Sequence, residues 1–369
     1  MTRPHEERKK AIEALCLLGD MFRRGEDDPR WRIALQKAGA DNPWFTPENI
    51  RFAARQWGEL LREPALTQWV DRYPLPDASK NVLLVLAGNI PMVGLHDILC
   101  TYVSGHRAVI KPSRDDTALI TAATQCLQEA EPSLADRLTL APGLVREGID
   151  AVIATGNDDT QRYFRYYFRQ IPALLRHARY SVGLIAENTS EKELEQLADD
   201  MLLYFGLGCR NVTQVLVPED FDLSRLGRAL GKYAGIADHP KYRNNYDYRR
   251  AMSVLSEQNA GVYDTGFLLL VPSDTPAAPL GTAGYRRYGT LAQAEDYLRS
   301  LGEALQCVVG PGHLPFGSAQ RPALDQYADG EDTMEFLRFS RCCALTHTAL
   351  SPSPPDRTGL FPINTVENQ

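Results

Sequence analysis

The sequence predicts an α/β protein built around a parallel sheet that helices cover. Three apolar segments, "NVLLVLAGNIP" from Asn81, "RAVIKPS" from Arg107 and "DAVIATGN" from Asp150, have the composition of buried strands. Helix-like sequence separates each segment from the next, and strands that alternate with helices form parallel sheets. Because the chain has 369 residues, 44% of them hydrophobic, we expect two cores and two domains.

The region before the first strand is predicted to be mostly helical. Residues 1–70 alternate helical patterns with turn signals, and residues 46–48 have the sequence of a helix cap and first turn. The first helix has one apolar face, formed by Ile12, Leu15, Leu18 and Phe22.

The second half of the chain contains further strand and helix signals. A fourth apolar segment, "YSVGLIAE", follows the aromatic-rich helix "DDTQRYFRYYFRQIPALLRHA". The segment "LEQLADDMLLYFGLGCRNVTQVLVP" is a helix that leads through a glycine turn into a strand. A helical region over residues 232–252 and the strands "GFLLLVPS" and "LQCVVG" come next. The proline-rich tail from Ser351 is expected to be extended or loosely packed.

Charge and hydropathy argue against several classes of protein. A net charge of -7 does not suit a surface for nucleic acid or anionic lipid, because both need an excess of basic residues. The N-terminal segment is charged from the start and lacks the apolar core of a signal peptide. The longest apolar run, residues 82–95, is interrupted by Gly88, Asn89 and Pro91 and is too short to span a bilayer. We therefore expect a soluble protein.

The cysteines and histidines indicate neither a disulfide framework nor a metal site. The number of cysteines is odd, there is no CxxC pair, and the histidines are scattered without an HxxxH pair. A reducing, cytoplasmic setting fits this usage. The cysteines are Cys16, Cys100, Cys126, Cys209, Cys307, Cys342 and Cys343.

Polar and small residues follow the predicted strands, where parallel sheets bind their ligands. Asn89 could donate an N–H to a developing oxyanion, or it could cap the next helix. Lys111 could reach a ribose hydroxyl or a phosphate, although most lysines are simply solvated. Gly156 leads into a helix N-terminus whose amides favour a pyrophosphate, unless Asp158 and Asp159 satisfy those amides instead.

Cys209 lies in "YFGLGCRN", between a predicted helix and a predicted strand. A thiol on glycine-flanked backbone, next to the positive charge of Arg210, can ionise more easily and approach a substrate closely. The alternative is a small buried cysteine in a turn. Gly206 and Gly208 match the start of a dinucleotide fingerprint, but Asn211 stands where its third glycine would fall.

The order of these segments resembles that of a known superfamily. "AGNIP", "VIKPS", "ATGN" before a helix and the later cysteine in "FGLGCRNVTQVLVP" resemble the motif series of the aldehyde dehydrogenases. The sequence resembles one branch of this superfamily, the LuxC-type acyl-CoA reductases, more closely than it resembles the superfamily in general. This closer resemblance covers about residues 80–340. It is carried by "LAGNIPMVGLHDILCTYVSGHRAVIKPS", "ATGNDDTQRYFRYYF", "YFGLGCRNV" and "PFGSAQRPALDQYADGEDTMEFL".

The resemblance implies an aldehyde dehydrogenase-like fold, with a Rossmann-like parallel-sheet cofactor domain and an α/β catalytic domain that holds the nucleophilic cysteine. The implied N-terminal helices and dinucleotide-binding domain span residues 1–187, and the catalytic thiol domain spans residues 188–335. The segment 336–369 is expected to pack back on the cofactor domain or on a partner subunit.

The resemblance also implies a reaction and its catalytic residues. Cys209 would attack the acyl carbon of an acyl-CoA and form a thioester, and its backbone amide would form an oxyanion hole with the side chain of Asn89. Hydride delivery from the nicotinamide and collapse of the thiohemiacetal would then release an aldehyde.

A second set of residues is implied for the cofactor. Lys111 would bind the adenosine ribose, and Gly156 with Asn157 would lie near the pyrophosphate and nicotinamide. Arg114 stands where NAD-preferring relatives often have a glutamate, which favours NADPH, with NADH as the other possibility. The implied cofactor-binding residues are Lys111, Ser113, Arg114, Gly156 and Asn157.

One departure from the superfamily bears on the reaction type. Hydrolytic aldehyde dehydrogenases have a glutamate in a "LELGG" strand that activates the hydrolytic water, and the corresponding segment here, "SVGLIAEN", lacks that pattern. Release of the acyl group as an aldehyde does not need this water. Glu187 lies near, but its register does not match, and its role stays open.

Two further motifs allow a functional or a structural interpretation. The late segments "PFGSAQRP" and "TMEFLRF" are interpreted as structural packing. The aromatic run "RYFRYYFRQ" could stack on bases, line an acyl tunnel or simply pack, and helical spacing in an acidic protein favours packing.

The sequence therefore predicts an NAD(P)H-dependent acyl-thioester reductase that makes a fatty or related aldehyde. The alternatives are a noncatalytic subunit that binds an acyl thioester or a dinucleotide, and a hydrolytic aldehyde dehydrogenase. The expected partners are an acyl-CoA or acyl-carrier substrate and either a second copy of the chain or an acyl-transfer enzyme. No protein-bound metal and no nucleic acid are expected.

Overall fold

The chain begins with a helical region that packs into the first core. The structure, a computed structural model, describes residues 3–76, 78–156, 158–255 and 260–338. The helices before the first strand are α1 (Arg3–Arg24), α2 (Pro29–Asp41), α3 (Pro47–Leu60) and α4 (Glu63–Val70). Asp28 caps α2, and the Thr46 side chain accepts a hydrogen bond from the backbone N–H of Asn49 at the start of α3, as predicted.

The first sheet is parallel, with strand order β3-β2-β1-β4-β5 among the described strands. In chain order its strands and helices are β1 (Asn81–Val85), α5 (Leu95–Val103), β2 (Arg107–Lys111), α6 (Thr117–Ala130), β3 (Leu138–Leu140), β4 (Ala151–Thr155), α7 (Asp158–Tyr167) and β5 (Ala173–Arg176). The three predicted strands are therefore confirmed as β1, β2 and β4.

Helices cover both faces of this sheet because successive residues of β1 point in opposite directions. Val82 and Leu84 face the core that the N-terminal helices, α5 and α6 share. Leu83 and Val85 face a second cluster with Phe164 of α7.

The aromatic-rich helix is shorter than predicted. The sequence predicted one helix over residues 158–178, but α7 ends at Tyr167 and residues 173–176 form the edge strand β5. Pro172 has no backbone N–H to continue a helix, and it disfavours helical geometry at Ile171. The chain therefore leaves the helix before the proline and pairs with β4 after it.

The second sheet has strand order β11-β6-β7-β10-β9-β8 among the described strands, and it is parallel except for the pairing of β8 with β9. Helices α8 and α9 cover one face, and α11 covers the other. Its elements, with the helix that follows them, are β6 (Tyr180–Leu184), α8 (Glu191–Leu202), β7 (Val212–Pro218), α9 (Leu223–Leu230), α10 (Pro240–Leu255), β8 (Tyr263–Asp264), β9 (Leu269–Pro272), β10 (Thr282–Tyr288), α11 (Leu291–Leu301), β11 (Leu305–Val309) and α12 (Thr333–Phe336).

The change from the first sheet to the second comes earlier in the chain than the expected domain boundary at residue 187. The strand β6 was assigned to the cofactor domain, but it lies between β11 and β7 in the second sheet. β6 belongs to the second sheet because it pairs with β7 and β11, which both occur later in the chain.

After the second sheet the chain returns to the first half of the protein. Trp69 donates its indole N–H to the hydroxyl of Tyr327 at 2.8 Å, and the His106 ring lies 2.7 Å from the carbonyl oxygen of Leu337. The segment expected to pack on the cofactor domain, 336–369, lies mostly outside the described residues. Within the described part of the chain, none of the helices is both long and apolar enough to cross a membrane.

Candidate active site

The carboxyl ends of β1, β2 and β4 meet at one edge of the first sheet. Val85 pairs with Lys111 of β2 and with Ala154 of β4, so residues after these positions follow the sheet at the same edge. From β1 the chain moves outward through β2 and β3, and it then crosses back to β4 and β5. The crevice between β1 and β4 is therefore the topological switch point, where open α/β sheets bind their ligands.

The predicted cofactor residues lie at this edge. Lys111 is partly buried and Arg114 is exposed, so both side chains are accessible to a ligand. Gly156 follows β4 directly, on the other side of the switch point from β2. Asn157 lies outside the described residues.

Ser113 has a structural role in addition to the one predicted for it. Its hydroxyl accepts a hydrogen bond from the backbone N–H of Asp115, which caps a short 3-10 turn. A side chain at Gly88 would place its Cβ 2.5 Å from the Ser113 side chain, so the loops after β1 and β2 touch at a point where only glycine fits.

A buried carboxyl group fixes the loop after β1. The Asp116 carboxyl accepts a hydrogen bond of 2.8 Å from the backbone N–H of Met92, and burial raises the pKa of Asp116 well above its usual range. Met92 has a left-handed backbone, with φ at 57°. Such a conformation costs a non-glycine residue roughly 1–3 kcal/mol and is concentrated at functional sites.

The segment before Cys209 also has a left-handed backbone. Tyr204 and Phe205 have φ values of 56° and 59°, and they are followed by Gly206 with φ at 77°. Three consecutive residues in this region turn the chain sharply at the end of α8. The glycine is needed for this turn, and the strain at the two aromatic residues could not be inferred from their identities.

Asn211 fixes the loop that contains Cys209. Its side-chain oxygen accepts a hydrogen bond of 2.8 Å from the backbone N–H of Gly208. Its amide nitrogen lies within 2.8 to 3.3 Å of the backbone carbonyls of Asp200, Met201 and Leu203. Asn211 is fully buried and links both sides of the turn, so it has a structural role that the comparison with a dinucleotide fingerprint missed.

The late motif "PFGSAQRP" supports the same loop. The buried carboxylate of Asp200 accepts hydrogen bonds from the backbone N–H groups of Gly317 and Ala319, and Arg210 donates to the Ala319 carbonyl at 2.5 Å. Burial outweighs these two hydrogen bonds and raises the pKa of Asp200 to about 6. The motif thus contacts Arg210, the residue that follows Cys209.

The environment of Cys209 differs from the one that the sequence indicated. We expected glycine-flanked amides and Arg210 to lower the thiol pKa, but burial raises the pKa of Cys209 above its ordinary value. Arg210 opposes this shift without cancelling it. The sequence could not predict this balance, because the groups that bury the thiol are distant in the chain.

The structure brings the loop after β1 to the Cys209 loop. The Asn89 side-chain amide donates a hydrogen bond of 2.7 Å to the carbonyl oxygen of Leu207. Asn89 is exposed, and its amide has a second N–H. The two residues predicted to form the oxyanion hole therefore lie on loops that are in contact.

A cavity of about 160 Å³ opens at Cys209. Residues of α3, the loop after β1, the Cys209 loop and the segment 320–328 line it. Most of these side chains carry no charge. Met92 and Tyr204, two of the residues with left-handed backbone, also line it. Among the apolar lining residues are Ala53, Trp57, Leu60, Ile90, Val93 and Leu324.

A second thiol lies beside the Cys209 loop. The Ser181 hydroxyl donates a hydrogen bond of 3.0 Å to the carbonyl oxygen of Cys209, and it lies 3.1 Å from the sulfur of Cys307. Burial raises the pKa of Cys307 as well. No sequence pattern indicated this neighbour, because Cys307 lies on β11, far from Cys209 in the sequence.

Glu187 lies at the wrong end of its strand to act on Cys209. Ser181, at the start of β6, contacts the Cys209 loop, whereas exposed Glu187 follows the other end of β6. The strand places about 10 Å between these ends, at about 3.3 Å per residue. The carboxylate that contributes to the Cys209 pKa is instead Asp329, which accepts a hydrogen bond from the His177 backbone and pairs with Arg179.

The aromatic helix does not line an acyl tunnel. Tyr163, Tyr166 and Tyr167 are 36 to 43% exposed, while Phe164 and Phe168 pack under the first sheet. The alternative of an acyl tunnel along α7 is therefore excluded, and packing, which the sequence favoured, is observed for the two phenylalanines. Packing on one face accounts for the two phenylalanines, since α7 covers that side of β1 and β4.

Solved structures with a similar fold are aldehyde dehydrogenases. No protein-family model matches the sequence, and neither does any curated protein. An aldehyde dehydrogenase from Mycobacterium tuberculosis, solved with NAD+, has a TM-score of 0.57 at 16% identity, covering 80% of this chain and 71% of its own. The aldehyde dehydrogenase from Bacillus cereus, as an NAD+ complex, gives 0.56 at 15% identity, covering 80% and 70%.

A third structure of this kind has a different cofactor. The succinic semialdehyde dehydrogenase from Streptococcus pyogenes, solved with NADP+ as the cofactor, gives a TM-score of 0.56 at 14% identity. The match covers 80% of this chain and 77% of that enzyme. The chain therefore has the aldehyde dehydrogenase fold.

Proposed function

We propose that the protein is an NAD(P)H-dependent reductase of acyl thioesters, with acyl-CoA as the substrate class and Cys209 as the nucleophile. The observation that carries the proposal is the position of Cys209 in the wall of a mostly uncharged cavity, on a loop that contacts Asn89 at the end of β1. This arrangement supports the predicted LuxC-type reaction.

The edge of the first sheet is the site proposed for a nicotinamide dinucleotide. The switch point between β1 and β4 is where such sheets bind their ligands, and it has Gly156 on one side and the partly buried Lys111 on the other. A dinucleotide is also the cofactor in the structures with a similar fold. When bound, it would supply the hydride for the reduction.

The chain's own residues account for the covalent steps. The Cys209 thiolate attacks the acyl carbon and forms a carbon–sulfur bond, and the CoA sulfur leaves with the electron pair of the broken bond and takes up a proton. The backbone N–H of Cys209 and the free N–H of Asn89 stabilise the oxyanion. After reduction, the thiohemiacetal collapses, its hydroxyl loses a proton, and the Cys209 sulfur leaves as aldehyde is released.

The carboxylates near the site favour reduction over hydrolysis. A hydrolytic enzyme needs a base that activates water beside the thioester. Glu187 lies at the far end of β6, and Asp329 is already paired with Arg179. The Asp200 carboxyl already accepts hydrogen bonds from Gly317 and Ala319. Exclusion of this water preserves the acyl-enzyme until it is reduced.

Arg114 favours NADPH. Its guanidinium is exposed in the loop after β2, next to the position proposed for the adenosine ribose. A guanidinium attracts a 2′-phosphate, which NADPH has and NADH lacks.

A noncatalytic role is the second candidate, because burial raises the pKa of Cys209. A protein that only holds an acyl thioester or a dinucleotide needs no reactive thiolate. The two functions differ in turnover, since the noncatalytic protein would bind ligands without forming an aldehyde.

An assay with acyl-CoA and NADPH tests the proposal. We expect NADP+, free CoA and aldehyde to form in equal amounts. The Cys209→Ser variant should form none of these three products. Cys307→Ser is the matched control, because this thiol neighbours the Cys209 loop, and it should retain turnover. Release of acid from an aldehyde and NAD(P)+ without CoA would instead indicate a hydrolytic dehydrogenase.

A further inference from the structure

Two polar atoms in the wall of the Cys209 cavity have no hydrogen-bond partner among the described residues. They are Nε2 of His96 and Nε2 of Gln320, and both side chains line the same cavity as Cys209. Gln320 is only 8% exposed. Buried polar groups without partners are rare in native proteins because each forfeits its hydration, so two in one cavity wall make it a candidate site for a polar ligand group.

The His96 ring presents a hydrogen-bond acceptor. It stacks between Trp69 and Tyr327, with ring centroids 5.6 and 5.3 Å away. Burial among these rings lowers the pKa of His96 to about 4, so the imidazole is neutral at pH 7. In the neutral tautomer that carries its proton on the other ring nitrogen, Nε2 has a lone pair. This atom has no hydrogen-bond partner among the described residues.

The Gln320 side chain presents a hydrogen-bond donor. Its position is fixed by its neighbours in the chain, since Ala319 bonds both Asp200 and Arg210, and the Arg321 backbone N–H donates to Ser318. Its Nε2 atom has two N–H groups and no acceptor capacity. With His96 in that tautomer, the described cavity wall contains a buried donor and a buried acceptor that have no partner.

A hydroxyl group has the chemistry to pair with both atoms, because its oxygen can accept from Gln320 and its proton can be donated to His96. A ketone oxygen or the thioester oxygen can pair with Gln320 but leaves the His96 lone pair without a partner. A plain hydrocarbon chain pairs with neither. We propose that this cavity binds an acyl group that has a hydroxyl substituent, held between Gln320 and His96.

The rest of the cavity fits such a chain. Its volume of about 160 Å³ is close to that of an engineered cavity of about 150 Å³ that binds benzene, which corresponds to an acyl group of about six carbons. The other walls, including Trp57, Leu60 and Ile90, are apolar and suit its methylene groups. This inference rests on the proposed function for the thioester, and it makes the substrate a hydroxyacyl rather than a plain fatty acyl thioester.

Binding to the Cys209→Ala variant tests the inference without turnover. The ligands are CoA thioesters of one short chain length, unsubstituted or with a hydroxyl on each carbon in turn, and calorimetry gives their dissociation constants. We expect at least one hydroxylated isomer to bind about tenfold or more tighter than the unsubstituted chain, because the latter leaves two buried groups unpaired. Equal binding of all the ligands would overturn the inference.

Variants identify the groups responsible. Gln320→Leu and His96→Phe, each combined with Cys209→Ala, should reduce the preference for the hydroxylated chain to about twofold or less, since the partner of the hydroxyl is then apolar. Gln326→Leu is the matched control, because Gln326 lines the same cavity but is exposed, and the preference should persist. Loss of the preference in all three variants alike would also contradict the assignment.

The proposed function and this inference can fail separately. A hydroxyl preference in Cys209→Ala, together with no acyl adduct on Cys209 in the parent protein, would uphold the cavity assignment and reject the reductase. An acyl adduct that forms equally well from plain and hydroxylated chains would uphold the reductase and reject the cavity assignment.

Discussion

Cys209 is held in conditions that work against its own ionisation. Cys209 is half-buried in the cavity wall, and Arg210 lowers the pKa of its thiol by less than burial raises it. The thiolate is the nucleophile, so at neutral pH only a small part of the protein is reactive at any moment. A bound substrate or cofactor that brought positive charge or N–H donors to the sulfur would change this balance.

The reactivity of Cys209 should therefore rise with pH through and beyond the ordinary thiol value of 9.0. Because the pKa is raised, the neutral thiol predominates below it, and the rate should increase about tenfold per pH unit in that range. The measurement is the rate of carbamidomethylation of Cys209 by iodoacetamide, resolved by peptide mass spectrometry. A plateau near neutral pH would mean that the thiol is activated in the free protein.

Asn89→Ala should lower the rate of acyl transfer to Cys209 about 10²- to 10³-fold, because it removes an oxyanion donor. The lost hydrogen bond to Leu207 should lower the free energy of unfolding by only about 1 kcal/mol. Rapid-quench measurement of the acyl-enzyme separates the two effects. Asn244→Ala, at an exposed position on α10, is the control, and a rate no lower than in this control would exclude Asn89 from the oxyanion hole.

The Cys209 loop depends on one buried side chain for its shape. The Asn211 side chain accepts a hydrogen bond from the Gly208 N–H and donates to the carbonyls of Asp200 and Leu203. It therefore bonds backbone groups on both sides of the turn that follows the end of α8. The glycines allow the turn, but Asn211 fixes it. The loop and the left-handed residues before it therefore act as one element.

Asn211→Ala should lower the free energy of unfolding by about 3 kcal/mol or more, because it leaves several buried backbone groups without a partner at about 1–3 kcal/mol each. Urea unfolding followed by circular dichroism gives the value. Asn245→Ala is the control, since this side chain makes a single bond to the Lys241 carbonyl and should cost about 1 kcal/mol or less. Similar losses in both variants would show that the loop does not depend on Asn211.

At the level of single strands, the sequence predicted the apolar strands well, including β11 at the edge of the second sheet, and it missed strands that are short or polar. The strands β1, β2 and β4 are apolar and sit centrally or next to the centre, so composition identifies them. The edge strands β3 and β5 are short, and β10 is rich in tyrosine and arginine, so their strand state comes from pairing with neighbours.

The candidate site was predictable only in part. Asn89 and Cys209 each stand in a recognisable local motif, and the structure brings their loops together. The burial of the thiol, the neighbour Cys307 and the polar pair in the cavity depend on segments far apart in the chain. No local pattern records which segments will meet, so these features needed the fold.

The two halves of the molecule are joined around a buried ion pair. Arg176, at the end of β5, contacts the Asp97 carboxylate at 2.5 Å, and it also donates to the Ala328 carbonyl and the Thr333 hydroxyl at 2.8 Å. Both charged side chains are almost fully buried. The segment that completes the cavity wall is thus anchored to the first sheet.

Asp97→Ala should lower the free energy of unfolding by about 3–5 kcal/mol, because it removes the carboxylate that contacts a buried guanidinium. Chemical denaturation measures the change. Glu335→Ala, which removes one partner of an exposed pair with Arg338, is the control and should cost less than about 1 kcal/mol. If both variants lost the same small amount, the ion pair would not hold the halves together.

In the proposed enzyme the first sheet binds the dinucleotide, the second sheet carries the thiol, and the acyl chain lies between them. All of these proposed roles require that Cys209 accept the acyl group. Intact-mass spectrometry of the protein mixed with an acyl-CoA, without a nicotinamide cofactor, measures this directly. The account predicts an added mass equal to the acyl group, present in the parent and in Cys307→Ala and absent in Cys209→Ala. An adduct that survived in Cys209→Ala, or none from any plain or hydroxylated chain, would contradict it.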